Sequence, residues 1–442
     1  MYRKRAGLAL QKETKPIKVA ILGAGVIGVT LGIILNIHGF RTKIYAEHLA
    51  DKIHPFKPDE RPPEFATIHA AASIIPHSVN HPKATSMLDI SQKFFHRLAF
   101  SATSGVRVQR HYELFEQPTD PPEYARTIKD FTLLPKDGRA WEKDKNIPHR
   151  KNAKGVWGWH FNIFFAEEPT YIQRLYDLYI SSGGTFIECK MENAQDFYGL
   201  DGEILVNCSG RWATELFPED KKNTKLVRGH MVRVQIYHVP HDFSNQYFSY
   251  NYTPSIDTYY RIDKNGKKLP ADVYFYPRSD GWLFGGSRQE GYPEIGKPWR
   301  EEDEQIAVEK FKKPGWVVEI PKPIWDLNRE LILGIAKLDI ADPKYSSNSL
   351  AAYRFARDPI RIEKDKPKGG KMVLHNYGHG GAGYTLSWGS AYEILKLIES
   401  EKGKSRLVAG NKMRRGNILP LLSILEDLAK EELETNKNGL KG

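Results

Sequence analysis

Lys18-Val19-Ala20-Ile21-Leu22 runs directly into Gly23-Ala24-Gly25-Val26-Ile27-Gly28. The first five residues are apolar and β-branched, which reads as a buried strand. Val29 to His38 stays apolar for the length of a helix, Gly39 stops it, and Thr42-Lys43-Ile44-Tyr45 makes a second strand ending near Glu47. Strand, glycine turn, helix and strand together form a βαβ unit carrying a dinucleotide fingerprint. Each glycine has a mechanical task. Gly23 makes the tight turn, Gly25 lets a pyrophosphate reach the backbone, and Gly28 lets helix and strand pack closely. The helix start offers unpaired N–H groups and a positive dipole end to phosphates. Glu47 follows at the distance where a carboxylate accepts hydrogen bonds from a ribose.

Composition limits what surrounds this unit. At 442 residues the chain exceeds one ordinary core, so two domains are expected. The 65 basic and 54 acidic residues leave a net charge of +11, scattered through loops such as Lys136 to Lys154. No nucleic-acid motif accompanies that charge, so it is read as solvated surface. Cys189 and Cys208 make neither a disulfide framework nor a zinc site, and they read as small core residues of a reducing compartment. No run of about eighteen apolar residues exists to span a membrane. The basic tail Met1 to Pro16 lacks a long apolar segment, and the chain closes on Gly439-Leu440-Lys441-Gly442, not on Ser-Lys-Leu. A cytoplasmic location is expected.

Along the chain, Ile53 to Glu64 is a proline-rich loop, and Ala70-Ala71-Ala72 is small enough to approach a flat ligand. Helical spacing is clear in Ala84 to Ala99 and Tyr171 to Ser181; alternation marks Val106 to Phe115 as a strand. Asp120 to Lys154 reads as an extended insertion. Ile204 to Asn207 is a buried strand opening into Cys208-Ser209-Gly210. Leu226 to Ile236 and Val273 to Gly286 read as strands of a more antiparallel sheet, while Glu301 to Phe311 and Trp325 to Glu330 read as helical pieces. Lys371 to His375 is a strand that opens into Asn376-Tyr377-Gly378-His379-Gly380-Gly381-Ala382-Gly383, followed by a helix from Tyr384 to Ile398. Two glycine-rich strand–loop–helix elements suggest two backbone-lined contacts with one large ligand. Asn417 to Thr435 carries leucines at helical spacing and reads as a core-packed terminal helix.

These segments, taken in order from about residue 18 to 400, resemble the D-amino-acid oxidase family of FAD flavoenzymes. The likeness is carried by Gly23 to Gly28, by Ala70-Ala71-Ala72, and by Val206-Asn207-Cys208-Ser209-Gly210 with Trp212-Ala213. It continues through Arg228-Gly229-His230, Tyr353-Arg354-Phe355-Ala356-Arg357, Ile360-Arg361-Ile362-Glu363, and His375 to Gly381 with Thr385, Trp388 and Gly389. The implied fold is α/β, with a Rossmann-like FAD-binding domain and a mixed, largely antiparallel substrate domain built from discontinuous segments. The expected division gives 18–90, 160–228 and 338–416 to FAD, 91–159 and 229–337 to substrate, and 417–442 to a helical tail.

By the same resemblance, Arg357 pairs with a substrate carboxylate, Tyr274 hydrogen-bonds that carboxylate, and the Gly381 carbonyl receives the amine. FAD is expected to contact Gly23 to Gly28, Glu47, His48, Ala70, Ala71, Ala72, Ser209, Gly210, Trp212, Gly378, Gly380, Gly383, Tyr384 and Thr385. The implied reaction moves a hydride from a D-amino acid to flavin N5, gives an imine and then a 2-oxo acid with ammonia, and reduces oxygen to hydrogen peroxide. It needs no metal, nucleophile or paired carboxylates. A homodimer is compatible with it. The sequence departs from the family pattern where Pro270 stands in place of a second active-site tyrosine; Tyr259, Tyr260 or Arg261 are candidates to replace that contact. Alternatives left open are glycine, an N-methylated amino acid or D-aspartate and D-glutamate as substrate, a quinone as acceptor, or a silent flavin-binding module.

Overall fold

The structure, a computed structural model, describes residues 15–52, 65–75, 80–123, 125, 128, 130–236, 247–262, 265–290, 308–313, 316–345, 347–403 and 421–431. The expectations for residues 1–14 of the basic tail and for the loop 53–64 lie outside these residues. The βαβ unit forms as the apolar run requires. Strand β1 (Lys18–Leu22) leads into helix α1 (Val26–Ile37) and strand β2 (Arg41–Ala46), which pairs in parallel with β1. Helix α1 is apolar on all sides because it is buried on nearly all sides. Gly32 lets it meet its neighbour closely, since a Cβ there would stand 2.5 Å from the Tyr179 ring.

Helices α3 (Glu168–Ser181) and α5 (Gly383–Lys402) pack against α1, α2 (Ala84–Ala99) packs on α5 in the same core, and α4 (Lys322–Ala336) lies apart on the second core. The crossing of α2 and α5 also depends on a glycine. A Cβ on Gly389 would sit 2.0 Å from the Met87 carbonyl oxygen. Leu421, Ile424, Leu425 and Leu428 bury one face of a final helical segment, 421–431, in this same core. A buried leucine of this kind contributes about 1.5–3 kcal/mol.

One mixed sheet organises the rest. It contains β3 (Val106–Phe115), β4 (Trp157–Ala166), β5 (Thr185–Glu188), β6 (Ile204–Asn207), β7 (Thr224–Val234), β8 (Phe248–Thr253), β9 (Val273–Arg278), β10 (Gly281–Gly285), β11 (Ser347–Lys368) and β12 (Lys371–His379). From the short edge strand Thr132–Leu133 the order is β4-β3-β8-β9-β10-β7-β11-β12-β6-β1-β2-β5. The pairs from β12 to β5 are parallel, whereas those from β12 back to β8 are antiparallel. A parallel, helix-covered end therefore passes into an antiparallel end without a break.

Two expectations need correction. Val273 to Gly286 is not one strand but the hairpin β9–β10, turning at Ser279-Asp280 with Gly281 at φ +125. In the described part of Glu301–Phe311, Val308–Lys313 is a strand paired with Trp316–Pro321. A partner strand supplies its ladder and overrides the helical reading of a charged segment. Among its described residues the Asp120–Lys154 insertion holds only short pieces, such as Thr132–Leu133 and Ala140–Lys143.

Candidate active site

The parallel end and the antiparallel end of the sheet share one cavity of about 320 Å³. Its first wall is the βαβ turn, where Gly23, Ala24, Gly25, Val26 and Ile27 lie with Glu47 and His48. Gly23 has φ +107, and a Cβ there would stand 2.4 Å from the Cys208 carbonyl oxygen. Gly28 lies outside the lining. A Cβ on it would come within 2.0 Å of the Gly23 carbonyl oxygen, so its task is helix–strand packing. Helix α1 starts without a side-chain cap and without an acid in its first turn. The Val26 N–H is held by Thr67 Oγ1 at 3.1 Å. That leaves the positive dipole end unneutralised beside the cavity.

A second wall comes from three separate segments. Ala70, Ala71 and Ala72 line it, and a buried ion cluster fixes them: Arg278 donates to the Ala70 carbonyl at 2.7 Å while pairing with Glu168 at 2.6 Å and Asp280 at 2.8 Å. Ser209, Gly210 and Trp212 follow β6. Ser209 donates through both its N–H (3.0 Å) and its hydroxyl (2.6 Å) to Asn207 Oδ1. Gly378, Gly380, Gly381, Gly383 and Tyr384 bring the second glycine-rich loop to the same cavity, and the Tyr384 hydroxyl donates to the Thr67 carbonyl at 3.0 Å. Thr385 is not in the lining, because its hydroxyl donates to the Ile75 carbonyl at 3.1 Å.

His379 does line the cavity, with a buried Nε2 that has no partner among the described residues; burial pushes its pKa down to about 3. Two helix starts without a capping side chain of their own and Glu47, set in one cleft, fit an extended anionic dinucleotide with a ribose.

At the antiparallel end the cavity is bounded by Tyr274, Gly381 and Arg354. The Arg354 guanidinium lies beside the Tyr274 hydroxyl, and its Nη1 stands 3.7 Å from where a Cβ on Gly381 would be. Arg354 has no carboxylate partner among the described residues. Burial raises the Tyr274 pKa, so this hydroxyl stays protonated and can donate.

Arg357 is not brought to this cluster. Its Nε donates to Asp220 Oδ2 at 2.6 Å and its Nη1 to the Pro359 carbonyl at 2.7 Å. Residues three apart on a strand face opposite sides. Arg361, four residues beyond Arg357, comes back to the Asp220 side. The run Tyr353-Arg354-Phe355-Ala356-Arg357 thus offers two arginines, and strand parity separates them.

Asn251, Tyr276 and Arg288 also line the antiparallel end, and Thr67 the parallel end; none is in the expected set. The signal for Tyr276 is its period-two spacing from Tyr274. Asn251 and Thr67 reach the cavity through long-range pairing that no local pattern reveals. Tyr259, Tyr260 and Arg261 are absent from the lining. The Tyr259 hydroxyl turns to the Gly286 carbonyl at 3.4 Å, and Lys268 covers the Tyr260 ring at 4.0 Å. No group of three metal-ligating side chains occurs among the described residues, and no described helix is long and apolar enough to cross a membrane.

Comparison with known proteins shows the family. Residues 18–397 match the family model described as FAD dependent oxidoreductase. The chain is 25% identical over 383 residues to a D-amino-acid oxidase of Rubrobacter xylanophilus, covering 86% of this chain and 95% of that one. It is 26% identical over 406 residues to a D-aspartate oxidase of Talaromyces thermophilus, covering 87% and 95%. Among solved structures, glycine oxidase from Bacillus cereus shares the fold with a TM-score of 0.56 at 16% identity, covering 89% of this chain and 99% of that one.

Proposed function

Because the chain belongs to the FAD dependent oxidoreductase family, we propose that it oxidises a D-amino acid at the end of the cavity bounded by Arg354, Tyr274 and Gly381. FAD is the cofactor of this family. The observation that carries the reading is an arginine with no carboxylate partner among the described residues, set beside a tyrosine donor and a glycine backbone in the cleft that holds the dinucleotide fingerprint. A planar guanidinium takes a carboxylate through two parallel hydrogen bonds, a geometry lysine cannot reproduce. Tyr274 adds a third donor to the same carboxylate. The Gly381 carbonyl is the acceptor for the substrate amine, which fixes the orientation of Cα–H.

The chemistry FAD supplies when bound is acceptance of the Cα hydride, with oxygen regenerating the cofactor and leaving hydrogen peroxide. The protein's part is to hold the amino acid in one pose and to keep water out. Buried Tyr274, Tyr276 and Ala352 do the latter. The imine product hydrolyses to a 2-oxo acid and ammonia. D-configuration and oxygen as acceptor are supported by the names of the relatives.

The test is anaerobic mixing of the yellow holoenzyme with a panel of D- and L-amino acids. Bleaching by D-amino acids, followed by peroxide on admitting air, is the expected result. Bleaching by L-amino acids alone or by secondary amines alone replaces this reading with another.

A further inference from the structure

One wall of the antiparallel end is built on three neighbouring strands, and their register puts one set of polar side chains on a single face. His111 of β3 pairs with Ser249 of β8, Glu113 with Asn251, and Asn251 in turn with Tyr274 of β9. Residues two apart share a face. Gln109, His111 and Glu113 therefore stand beside Ser249 and Asn251, with Tyr276 next along β9. All six are buried, and Asn251 and Tyr276 reach the cavity.

Every donor in this network runs the same way. Gln109 Nε2 donates to Ser249 Oγ at 2.8 Å, which leaves the Ser249 proton for His111 Nδ1, also at 2.8 Å. His111 then carries its proton on Nε2, 3.2 Å from Glu113 Oε1. From the cavity side, Ser73 Oγ donates to the Tyr276 oxygen at 3.3 Å, Tyr276 to Asn251 Oδ1 at 3.2 Å, and Asn251 Nδ2 to Glu113 Oε1 at 3.0 Å. A carboxylate only accepts. Glu113 thus sets the orientation of the Asn251 amide, the amide takes the Tyr276 proton, and the acceptors this leaves in the cavity lining are the Ser73 oxygen and the second lone pair of the Tyr276 oxygen.

Arg288 also lines the cavity and alone would draw a second carboxylate. Asp272 holds it with two contacts, Nη1–Oδ1 at 2.8 Å and Nη2–Oδ2 at 3.0 Å. With Glu113 behind Asn251, the charges around Arg288 do not favour a further anion.

We infer that the Tyr276–Asn251–Glu113 chain makes this wall a hydrogen-bond acceptor, selecting a D-amino acid whose side chain ends in a neutral donor over one ending in a carboxylate. The inference rests on the D-amino-acid reading above and names its substrate class. Tyr276 and Asn251 are specificity determinants in it; Glu113 acts through them as a positioning residue.

Three nearly isosteric substrates test it: D-asparagine, D-aspartate and D-leucine, assayed as kcat/KM with the wild-type holoenzyme. D-Asparagine is expected to exceed each of the others by roughly tenfold or more, since a buried polar wall is left unpaired by leucine and opposed by aspartate. In Tyr276→Phe the asparagine-to-leucine ratio falls toward one. In Asn251→Leu the Tyr276 proton is released to turn into the cavity, and the asparagine-to-aspartate ratio shifts toward aspartate, which a purely structural residue would not cause. D-Aspartate used as well as or better than D-asparagine by the wild type overturns the inference while leaving the D-amino-acid reading intact. If no D-amino acid bleaches the flavin, both fall.

Discussion

The two ends of the cavity are made of different material. At the parallel end the cavity is lined by glycine-rich turns, Gly23 to Ile27 at one helix start and Gly378 to Gly383 at another, with Gly23, Gly378 and Gly380 at positive φ. At the antiparallel end it is lined by side chains, Arg354, Tyr274, Asn251 and Tyr276, delivered by three strands far apart in sequence. A backbone site leaves its signature in consecutive residues. A side-chain site leaves only residue types, and which face of a strand they occupy is settled by pairing.

The largest effect that could break this comparison lies at the side-chain end. Arg354→Leu removes two charge-assisted hydrogen bonds of about 1.5–3 kcal/mol each. A fall of roughly a thousandfold in kcat/KM is expected, with FAD retained. Arg354→Lys keeps the charge but not the fork and is expected to recover only part of it. Steady-state kinetics at several substrate concentrations decide the matter, and an unchanged KM in Arg354→Leu would put the carboxylate elsewhere.

This contrast also explains what the sequence made legible. The βαβ unit, both glycine loops and the helices from Ala84 and Tyr171 follow from local periodicity and turn chemistry, and they form where expected. Two arginines in Tyr353-Arg354-Phe355-Ala356-Arg357 satisfy the same pattern, yet only Arg354 meets Tyr274 and Gly381. Parity along β11 separates them, and the absolute face comes from pairing with β7, more than a hundred residues earlier. Asn251 and Thr67 were illegible for the same reason. The hairpin β9–β10 was missed for another: its turn, Ser279-Asp280-Gly281, sits inside an otherwise unbroken apolar alternation.

The backbone end can be broken by bulk alone. Gly25 has φ −73, so a side chain there brings no backbone strain, but its Cβ would stand 2.8 Å from the Thr67 Oγ1 that holds the Val26 N–H. Gly25→Val is expected to weaken FAD binding by roughly a hundredfold, a loss of about 2.7 kcal/mol. Flavin absorbance per protein after gel filtration measures it; a fully yellow variant would show that the dinucleotide does not approach this turn.

The glycine-rich return carries a dependence on pH, shared by the buried His38 at the end of α1 and His230 of β7, which burial lowers to about 4 and about 3. Burial lowers His375 to about 4 and His379 to about 3, against a free value near 6.5. Between those values the unfolded chain binds protons that the folded chain does not, so stability rises with pH there and is lost as pH falls from 6.5. At pH 5 each imidazole costs roughly 2 kcal/mol. The melting temperature is expected to be level above pH 7 and several degrees lower at pH 5. A level profile down to pH 5 would mean that these rings are not buried as neutral groups.

The smallest effect is the one that separates the two arginines most cleanly. Arg357 and Tyr377 both reach Asp220, at 2.6 and 2.5 Å, and Asn223 adds a third contact at 3.0 Å. Arg357→Leu leaves that carboxylate hydrogen-bonded and with Arg361 at 3.9 Å as its remaining cation, so the loss is expected to be about 1–3 kcal/mol of stability, below the cost of a fully orphaned buried charge. Binding should be nearly indifferent: KM for the preferred amino acid is expected within about twofold of the wild type, because the removed guanidinium faces Asp220 and not the cavity. A thermal melt and a substrate titration on one preparation read both quantities. If Arg357→Leu raises KM as steeply as Arg354→Leu, the two side chains share the ligand, and the division of β11 into a binding face and a structural face is wrong. If it lowers the melting temperature alone, the odd spacing between the two arginines is what places the substrate.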